Sequence, residues 1–370
     1  MIGAVFLKVV DYVGVEGSMV QWHQKRGELK MAQITIGKTG LQVEQNGFGA
    51  LPIQRISKKE AVYLLHKAYD GGMTFFDTAR GYTDSEEKLG EAFGSRWNQV
   101  VLASKTGAKN AKDFQADLET SLKNLKTDCI DIYQFHNPAV CPKPGDENGL
   151  YEAMVQAKEQ GKIRFISITN HRLGVAREAI ESGLYETLQF PICYLSTKED
   201  MELVTACEEA NMGLIAMKAL SGGLITNAKA ACAWMMQHKN VIPIWGVQRE
   251  TELDEFLSYI KTPPVLNEEI KVYIEKDCKE LQGEFCRGCA YCMPCPQGIE
   301  INTCARASLL LRRAPQQSLL GEAGQEKMKK IENCVDCGRC VTKCPYGLDT
   351  PALLRKNHED YKEFLSGKKA

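Results

Sequence analysis

Residues 100–138 read VVLASKTGAKNAKDFQADLETSLKNLKTDCIDIYQFHNP, and this stretch decides the fold. It opens on an apolar run, Val100–Lys105, passes through an amphipathic segment, and closes on a second apolar run, Ile130–His136. Between them Phe114, Leu118, Leu122 and Leu125 fall on one face of a 3.6-residue period, the pattern of a helix that buries one side. Near-continuous apolar runs belong to strands covered on both faces, and so to a parallel sheet flanked by helices.

The same strand-then-helix unit recurs on both sides. Further apolar runs lie at Glu44–Ile53, Thr74–Thr78, Ile163–Thr169, Thr187–Ile192, Gly213–Ala219 and Val241–Val247. Ser57-Lys-Lys-Glu60 is a capping box that opens a helix over Lys58–Tyr69. Glu152–Glu159 is helical in pattern and stops near Gly161. Leu253, Phe256, Leu257 and Ile260 form the last apolar stripe. Eight such units in roughly 220 residues match the arithmetic of a TIM barrel. A doubly wound sheet would more often carry G-x-G-x-x-G after its first strand, and Gly47-Phe-Gly49 is only a fragment of that pattern. The expected fold is therefore α/β, a TIM (β/α)8 barrel; the two C-terminal cysteine runs, Cys286–Cys295 and Cys334–Cys344, add the expectation of a small, mostly helical ferredoxin-like domain after it. The expected divisions are an extension without fixed structure over 1–30, a barrel over 31–275 and a cluster domain over 276–370.

Composition sets outer bounds. The chain has 370 residues, 44% hydrophobic and 25% charged, with a net charge of −1. Those fractions are ordinary for a soluble protein, and a charge near zero gives no electrostatic case for nucleic acid or an anionic membrane. The sequence holds no run of about 18 apolar residues, the minimum for a membrane span. Its first residues, MIGAVFLKVVDYVGV, lack the basic start and small-residue cleavage site of a secretory leader. The expected location is cytoplasmic.

The C-terminal part carries two dense cysteine runs: Cys286, Cys289, Cys292 and Cys295 before Pro296, then Cys334, Cys337, Cys340 and Cys344 before Pro345. A total of fifteen cysteines is odd and argues against a disulfide framework. Zinc more often takes two separated pairs of ligands. The second run matches the C-x2-C-x2-C-x3-C-P pattern by which bacterial ferredoxins hold [4Fe–4S] clusters, and the first differs by one residue. By that resemblance Cys286, Cys289, Cys292 and Cys344 would hold one cluster, and Cys334, Cys337, Cys340 and Cys295 the other. Helix formers at Ala305–Arg313 and Glu326–Ile331 point to a helical module. The remaining cysteines read as small buried apolar residues.

Barrel chemistry sits at the C-terminal ends of strands. There the sequence places Asp77 and Tyr82, then Lys105, then His136 and Asn137. Each has a plain alternative: Asp77 as a turn cap, Lys105 as a surface charge, His136 as a satisfied core histidine, Tyr82 as a loop aromatic. Together at one mouth they read as a site.

FFDTARGY, VVLASKTG and IYQFHNP resemble the motifs of the aldo-keto reductase family, and the likeness continues through GKIRFISITN, Gln189, GLIAMKALSGG and VIPIWG. The cysteine tail resembles the ferredoxin-type extension of one bacterial branch of that family. The resemblance implies reduction of an aldehyde or ketone by hydride from NADPH, or oxidation of the alcohol. It implies Tyr82 as general acid and Lys105 as the charge that lowers its pKa. Asp77 would hold Lys105, and His136 would orient the carbonyl. It also implies Thr169, Asn170 and Gln189 at the nicotinamide, Lys218, Leu220, Gly222 and Gly223 at the pyrophosphate, and Gly246, Gln248, Arg249 and Glu255 toward the adenosine 2′-phosphate. Gly49 and Asp77 join this cofactor set. Trp245, Gln248 and Phe256 depart from the family pattern in the last segment, so NADP(H) is expected with NAD(H) as its alternative.

Three readings compete for the whole chain. The first is a reductase braced by two [4Fe–4S] clusters. The second is a barrel wired through them to an electron-carrier protein such as a flavoprotein. The third is a redox sensor. Hydride moves two electrons together and a cluster moves one, which is why the readings separate.

Overall fold

The computed structural model of the chain describes residues 33–94, 96–281, 285–313 and 316–367; the expected extension over 1–30 lies outside them. A hairpin comes first, β1 (Gln33–Thr35) pairing antiparallel with β2 (Gln42–Glu44). Eight parallel strands follow: β3 (Gly47–Gly49), β4 (Phe75–Asp77), β5 (Val101–Thr106), β6 (Ile130–His136), β7 (Ile163–Thr169), β8 (Thr187–Pro191), β9 (Gly213–Met217) and β10 (Val241–Gly246). They pair in sequence order and β10 closes on β3, so the barrel is complete. Full closure leaves no open sheet edge.

Helices α1 (Lys58–Asp70), α2 (Ser85–Phe93), α3 (Ala111–Leu125), α4 (Leu150–Glu159), α5 (Leu173–Ser182), α6 (Lys198–Glu209), α7 (Ala228–Met235) and α8 (Glu250–Lys261) wrap the barrel. The capping box opens α1: Ser57 Oγ accepts from the Glu60 amide at 3.2 Å, and the Ser57 amide donates back to the Glu60 carboxylate at 3.0 Å. On α3, Phe114, Leu118, Leu122 and Leu125 are all buried, as their spacing demands. Each such side chain contributes roughly 1.5–3 kcal/mol on leaving water. Inside the barrel, Ile34, Ile36 and Val43 of the hairpin segment meet Phe75, Val101, Ile132, Ile215 and Ile242 near the strand starts. The bottom is thus plugged, and the open mouth is at the strand ends.

Helix α9 (Glu268–Glu280) sets Ile270 and Ile274 into the barrel's outer core. After it come α10 (Ile301–Cys304), α11 (Ala307–Arg313), α12 (Gln317–Leu320), α13 (Glu322–Lys329), α14 (Arg339–Lys343) and α15 (Thr350–Leu365). Ile299, Leu311, Leu319, Met328, Leu354 and Tyr361 give this unit its own core. Among the described residues it contains helices and no strand, so the expected helical module is present and what is corrected is the ferredoxin-like fold attached to it.

The unit is fastened to the barrel by polar contacts. Arg313 pairs with Asp277 and, at 2.7 Å, with Glu280, and it donates to the Leu224 carbonyl at 3.2 Å. Arg306 donates to the Gly222 carbonyl at 2.5 Å, and Lys218 to the Arg287 carbonyl at 3.2 Å. No helix among the described residues is long and apolar enough to cross a membrane.

Candidate active site

Strand register brings the expected residues to one level. Gly49 lies opposite Asp77, Lys105 opposite Gln134, His136 opposite Thr169, and Thr169 opposite Gln189. Asp77 is the last residue of β4, Lys105 comes one before the end of β5, and His136 ends β6. Tyr82 follows in the short turn between β4 and α2, where the Tyr82 amide donates to the Ala79 carbonyl at 3.0 Å.

Lys105 and Asp77 form a buried pair. Lys105 Nζ lies 2.8 and 2.7 Å from the two carboxylate oxygens and donates to the Thr78 carbonyl at 2.6 Å. Gln134 and Gln189 donate to the same carboxylate at 3.2 and 3.4 Å. The Lys105 ammonium stands 5.1 Å from the centroid of the Tyr82 ring. The Tyr82 and His136 rings meet edge to face at 5.7 Å. The four catalytic candidates are therefore one cluster.

Its electrostatics are set by burial. Burial raises the Asp77 carboxyl, against the pull of Lys105 and the two glutamines. Burial lowers the Lys105 ammonium, against the pull of Asp77. Burial and the nearby Lys105 charge push His136 down to about 3, so its imidazole is neutral at pH 7. Burial, then Asp77, then Tyr291 hold the Tyr82 hydroxyl well above its usual value. Burial thus outweighs the lowering expected of Lys105, and the desolvated phenol stays protonated.

The cofactor candidates divide. Gly49 and Gly246 are paired neighbours beside Asp77. Gln189 Oε1 and Gln248 Oε1 are buried acceptors without a partner. Gly222 and Gly223 follow β9 with positive φ, and a Cβ on Gly223 would meet nothing within 4 Å. Leu220 closes that turn, its carbonyl accepting from Gly223 at 2.9 Å. Thr169 Oγ1 points toward Met217 Sδ at 4.0 Å. The Asn170 side chain is committed to its own loops, donating to the Pro138 carbonyl at 2.9 Å and accepting from the His171 and Arg172 amides. Arg249 is two-thirds exposed and its Nε donates to Glu252 at 2.8 Å. Glu255 accepts from Tyr259 at 2.7 Å.

Sequence reasoning missed Gln134, His171, Tyr291 and Tyr346. The first was within reach: Gln134 sits two positions before His136, so both face the same side of β6. The others meet only across the fold. His171 stacks edge to face with Tyr291 at 5.1 Å and shares a hydrogen bond with the Tyr346 hydroxyl.

The fold brings the cysteine runs together in the two crossed groups expected of them, but no metal site is formed among the described residues. Cys286, Cys289, Cys292 and Cys344 line one small cavity; Cys292, Cys295, Cys334, Cys337 and Cys340 line another. None of them is joined in a disulfide. Among the described residues no three His, Cys, Asp or Glu side chains form a group that could hold a metal ion. The expectation of two [4Fe–4S] clusters is corrected accordingly.

A barrel with a Lys–Asp pair, a tyrosine and a histidine at adjacent strand ends defines a class of barrel oxidoreductase. A family model described as "Aldo/keto reductase family" matches residues 45–231, so the chain belongs to the aldo/keto reductases and is an oxidoreductase of the CH–OH/carbonyl class. A second model, described as a 4Fe-4S dicluster domain, matches residues 285–349, a likeness of sequence that the thiol geometry above does not complete. The chain is 27% identical to L-galactose dehydrogenase of Arabidopsis thaliana, over 52% of this chain and 66% of that one. It is 29% identical to aldo-keto reductase YhdN of Bacillus subtilis, over 53% and 64%. Among solved structures, aldo-keto reductase AKR11C1 of Bacillus halodurans superposes with a TM-score of 0.60 at 20% identity, covering 69% of this chain and 98% of that one. A Klebsiella pneumoniae aldo-keto reductase in complex with NADPH gives 0.57 at 23%, covering 67% and 95%. At these identities the two structures speak to the fold alone.

Proposed function

We propose that the chain reduces an aldehyde or ketone, or oxidises the corresponding alcohol, with NADP(H) as its hydride carrier. The observation that carries this is the convergence of Tyr82, His136 and the buried Lys105–Asp77 pair at one barrel mouth. The residues fit a nicotinamide cofactor. Gln189 Oε1 is a buried orphan acceptor beside the site, the kind of atom that a carboxamide N–H satisfies. Gly223 leaves open backbone where a phosphate can approach. Bound there, the nicotinamide would supply hydride to the carbonyl carbon or take it back.

The chain's own residues do the rest. Tyr82, kept protonated by burial, donates its proton to the carbonyl oxygen as negative charge develops there. The neutral His136 imidazole can donate a second hydrogen bond to that oxygen and fix its direction. Lys105 stands by the ring with a charge that stabilises the phenolate left behind, and Asp77, steadied by Gln134 and Gln189, fixes Lys105 in place. Arg249 is the group offered to a 2′-phosphate, through the guanidinium nitrogens that Glu252 leaves open.

The test is Tyr82→Phe. Carbonyl-dependent NADPH consumption should fall by roughly 10²–10⁴-fold, the usual worth of a positioned acid, while NADPH still quenches tryptophan fluorescence with unchanged affinity. Retained turnover in the variant would remove Tyr82 from its role.

A further inference from the structure

The helical unit reaches over the barrel mouth at several points. Lys218, on the loop after β9, donates to the Arg287 carbonyl at 3.2 Å. Arg306 donates to the Gly222 carbonyl at 2.5 Å on the same loop. The Arg287 guanidinium lies 5.1 Å from the Tyr346 ring centroid, and the Tyr346 hydroxyl hydrogen-bonds His171. Residues 286–291 are therefore held against the mouth from both sides.

Tyr291 is the side chain this arrangement delivers to the site. Its ring stands edge to face with His171 at 5.1 Å. His171 is 3% exposed, and its amide donates to Asn137 Oδ1 at 3.2 Å, next to His136. His171 lies two residues past Thr169, the end of β7, which pairs with His136 at the end of β6, so the Tyr291 ring comes to the mouth that holds Tyr82 and His136. His171 is held neutral, by burial first and then by Lys218, His136, Arg172 and Arg287. A neutral, buried imidazole braced by Tyr346 gives the Tyr291 ring a fixed wall to lean on.

We infer that Tyr291, supplied by the helical unit, is the roof of the carbonyl pocket and limits its substrates to carbonyl compounds with a short substituent, Tyr346 and His171 acting as its positioning brace. This rests on the function proposed above. A ring held at that mouth by His171 would set the depth available beyond the reacting carbon. Differences of a few carbon atoms in such a pocket translate into rate ratios of about 10–200-fold.

The experiment compares kcat/KM for propanal and 2-naphthaldehyde with NADPH in the full chain. NADPH affinity is followed in parallel by fluorescence titration. Tyr291→Ala removes the roof and should raise the naphthaldehyde-to-propanal ratio by about tenfold or more. Tyr291→Trp enlarges the ring and should lower that ratio. Tyr291→Phe keeps the ring and should keep the wild-type ratio. Tyr346→Phe loosens the brace and should move the ratio in the direction of the alanine variant by a smaller factor, chiefly through KM. A gain on the bulky aldehyde is a readout that misfolding cannot produce, and the tryptophan variant reads the same ratio in the opposite sense should the alanine variant fail to fold. Ratios unmoved by both, with NADPH binding retained, overturn the roof and leave the reductase reading standing. A wild-type chain that binds NADPH and turns over neither aldehyde overturns both.

Discussion

Lys105 Nζ sits within 2.8 Å of both carboxylate oxygens of Asp77, and the two side chains are 1% and 3% exposed. Two opposite charges shut off from water at the end of adjacent strands make the site dependent on their staying together. Asp77→Asn leaves the ammonium buried and uncompensated, which should destabilise the chain by about 3–5 kcal/mol and abolish turnover. Adding Lys105→Met removes the stranded charge and should recover part of the stability but none of the activity. Urea unfolding of the two single variants and the double variant gives the coupling directly.

The protonated Tyr82 makes the two reaction directions respond oppositely to pH. Burial and the Asp77 and Tyr291 neighbours keep the hydroxyl well above its usual value, so the acid needed for reduction persists through neutral and mildly alkaline pH. Carbonyl reduction should therefore stay level across that range. Alcohol oxidation needs the phenolate and should rise continuously with pH. Initial rates in both directions on one alcohol–aldehyde pair, taken in constant-ionic-strength buffers, check this. An oxidation optimum near neutrality would contradict it.

His136 links acidity to stability. Its ordinary value is 6.5 and the fold lowers it to about 3. Between those values the unfolded chain carries a proton that the folded chain does not. Stability should thus fall as pH drops through this window, by up to about 1.4 kcal/mol for each pH unit crossed. His171, shifted in the same direction, adds to the slope. His136→Asn should flatten the dependence, read from urea midpoints taken at intervals from pH 6.5 down to 4.

The barrel was legible because strand burial and helix amphipathicity are local. Residues 100–138 show it: Phe114, Leu118, Leu122 and Leu125 are buried as their spacing requires, and Ile130–His136 is a strand with the bounds its apolar run set. The first barrel strand was drawn too long, because after Gly49 the chain turns into a short 3-10 segment, Pro52–Arg55, whose apolar residues pack without extending. Asp77, Tyr82, Lys105 and His136 could be found since strand ends carry the chemistry. Their pKa values could not, since desolvation depends on what covers them. Tyr291 and Tyr346 reach the mouth across more than a hundred residues of sequence, and the cysteine runs drew the eye away from the aromatic residues between and beside them.

Gly90 tests how tightly the shell is packed. It lies in α2, which crosses the end of α3, and a Cβ there would stand 2.1 Å from the Asn124 carbonyl oxygen. On helix propensity alone Gly90→Ala should stabilise by about 1 kcal/mol. The backbone clash reverses the sign, since overpacking costs about 1–3 kcal/mol and a fixed carbonyl lies at the upper end or beyond. The midpoint of urea unfolding should fall. A variant at least as stable as wild type would mean that α2 and α3 can slide apart freely.

Asp277 is the joint between barrel and helical unit. It is 4% exposed, accepts from Tyr194 at 2.5 Å, and pairs with Arg313, which also reaches Glu280 and the Leu224 carbonyl. Asp277→Ala strands the Tyr194 hydroxyl and part of the Arg313 charge, although Glu280 retains some of the latter. The expected cost is about 3 kcal/mol, the lower end for a broken buried pair. That cost falls on docking before it falls on either core, because the barrel and the helical unit each bury their own apolar residues. Limited proteolysis should therefore release the helical unit from the variant at temperatures where the wild-type chain is intact, with the barrel surviving as a resistant fragment. If the roof over the mouth comes from that unit, the same variant should also admit 2-naphthaldehyde more readily relative to propanal than the wild type does. Asp277→Glu, which keeps the charge but lengthens the arm, should fall between the two in both measurements.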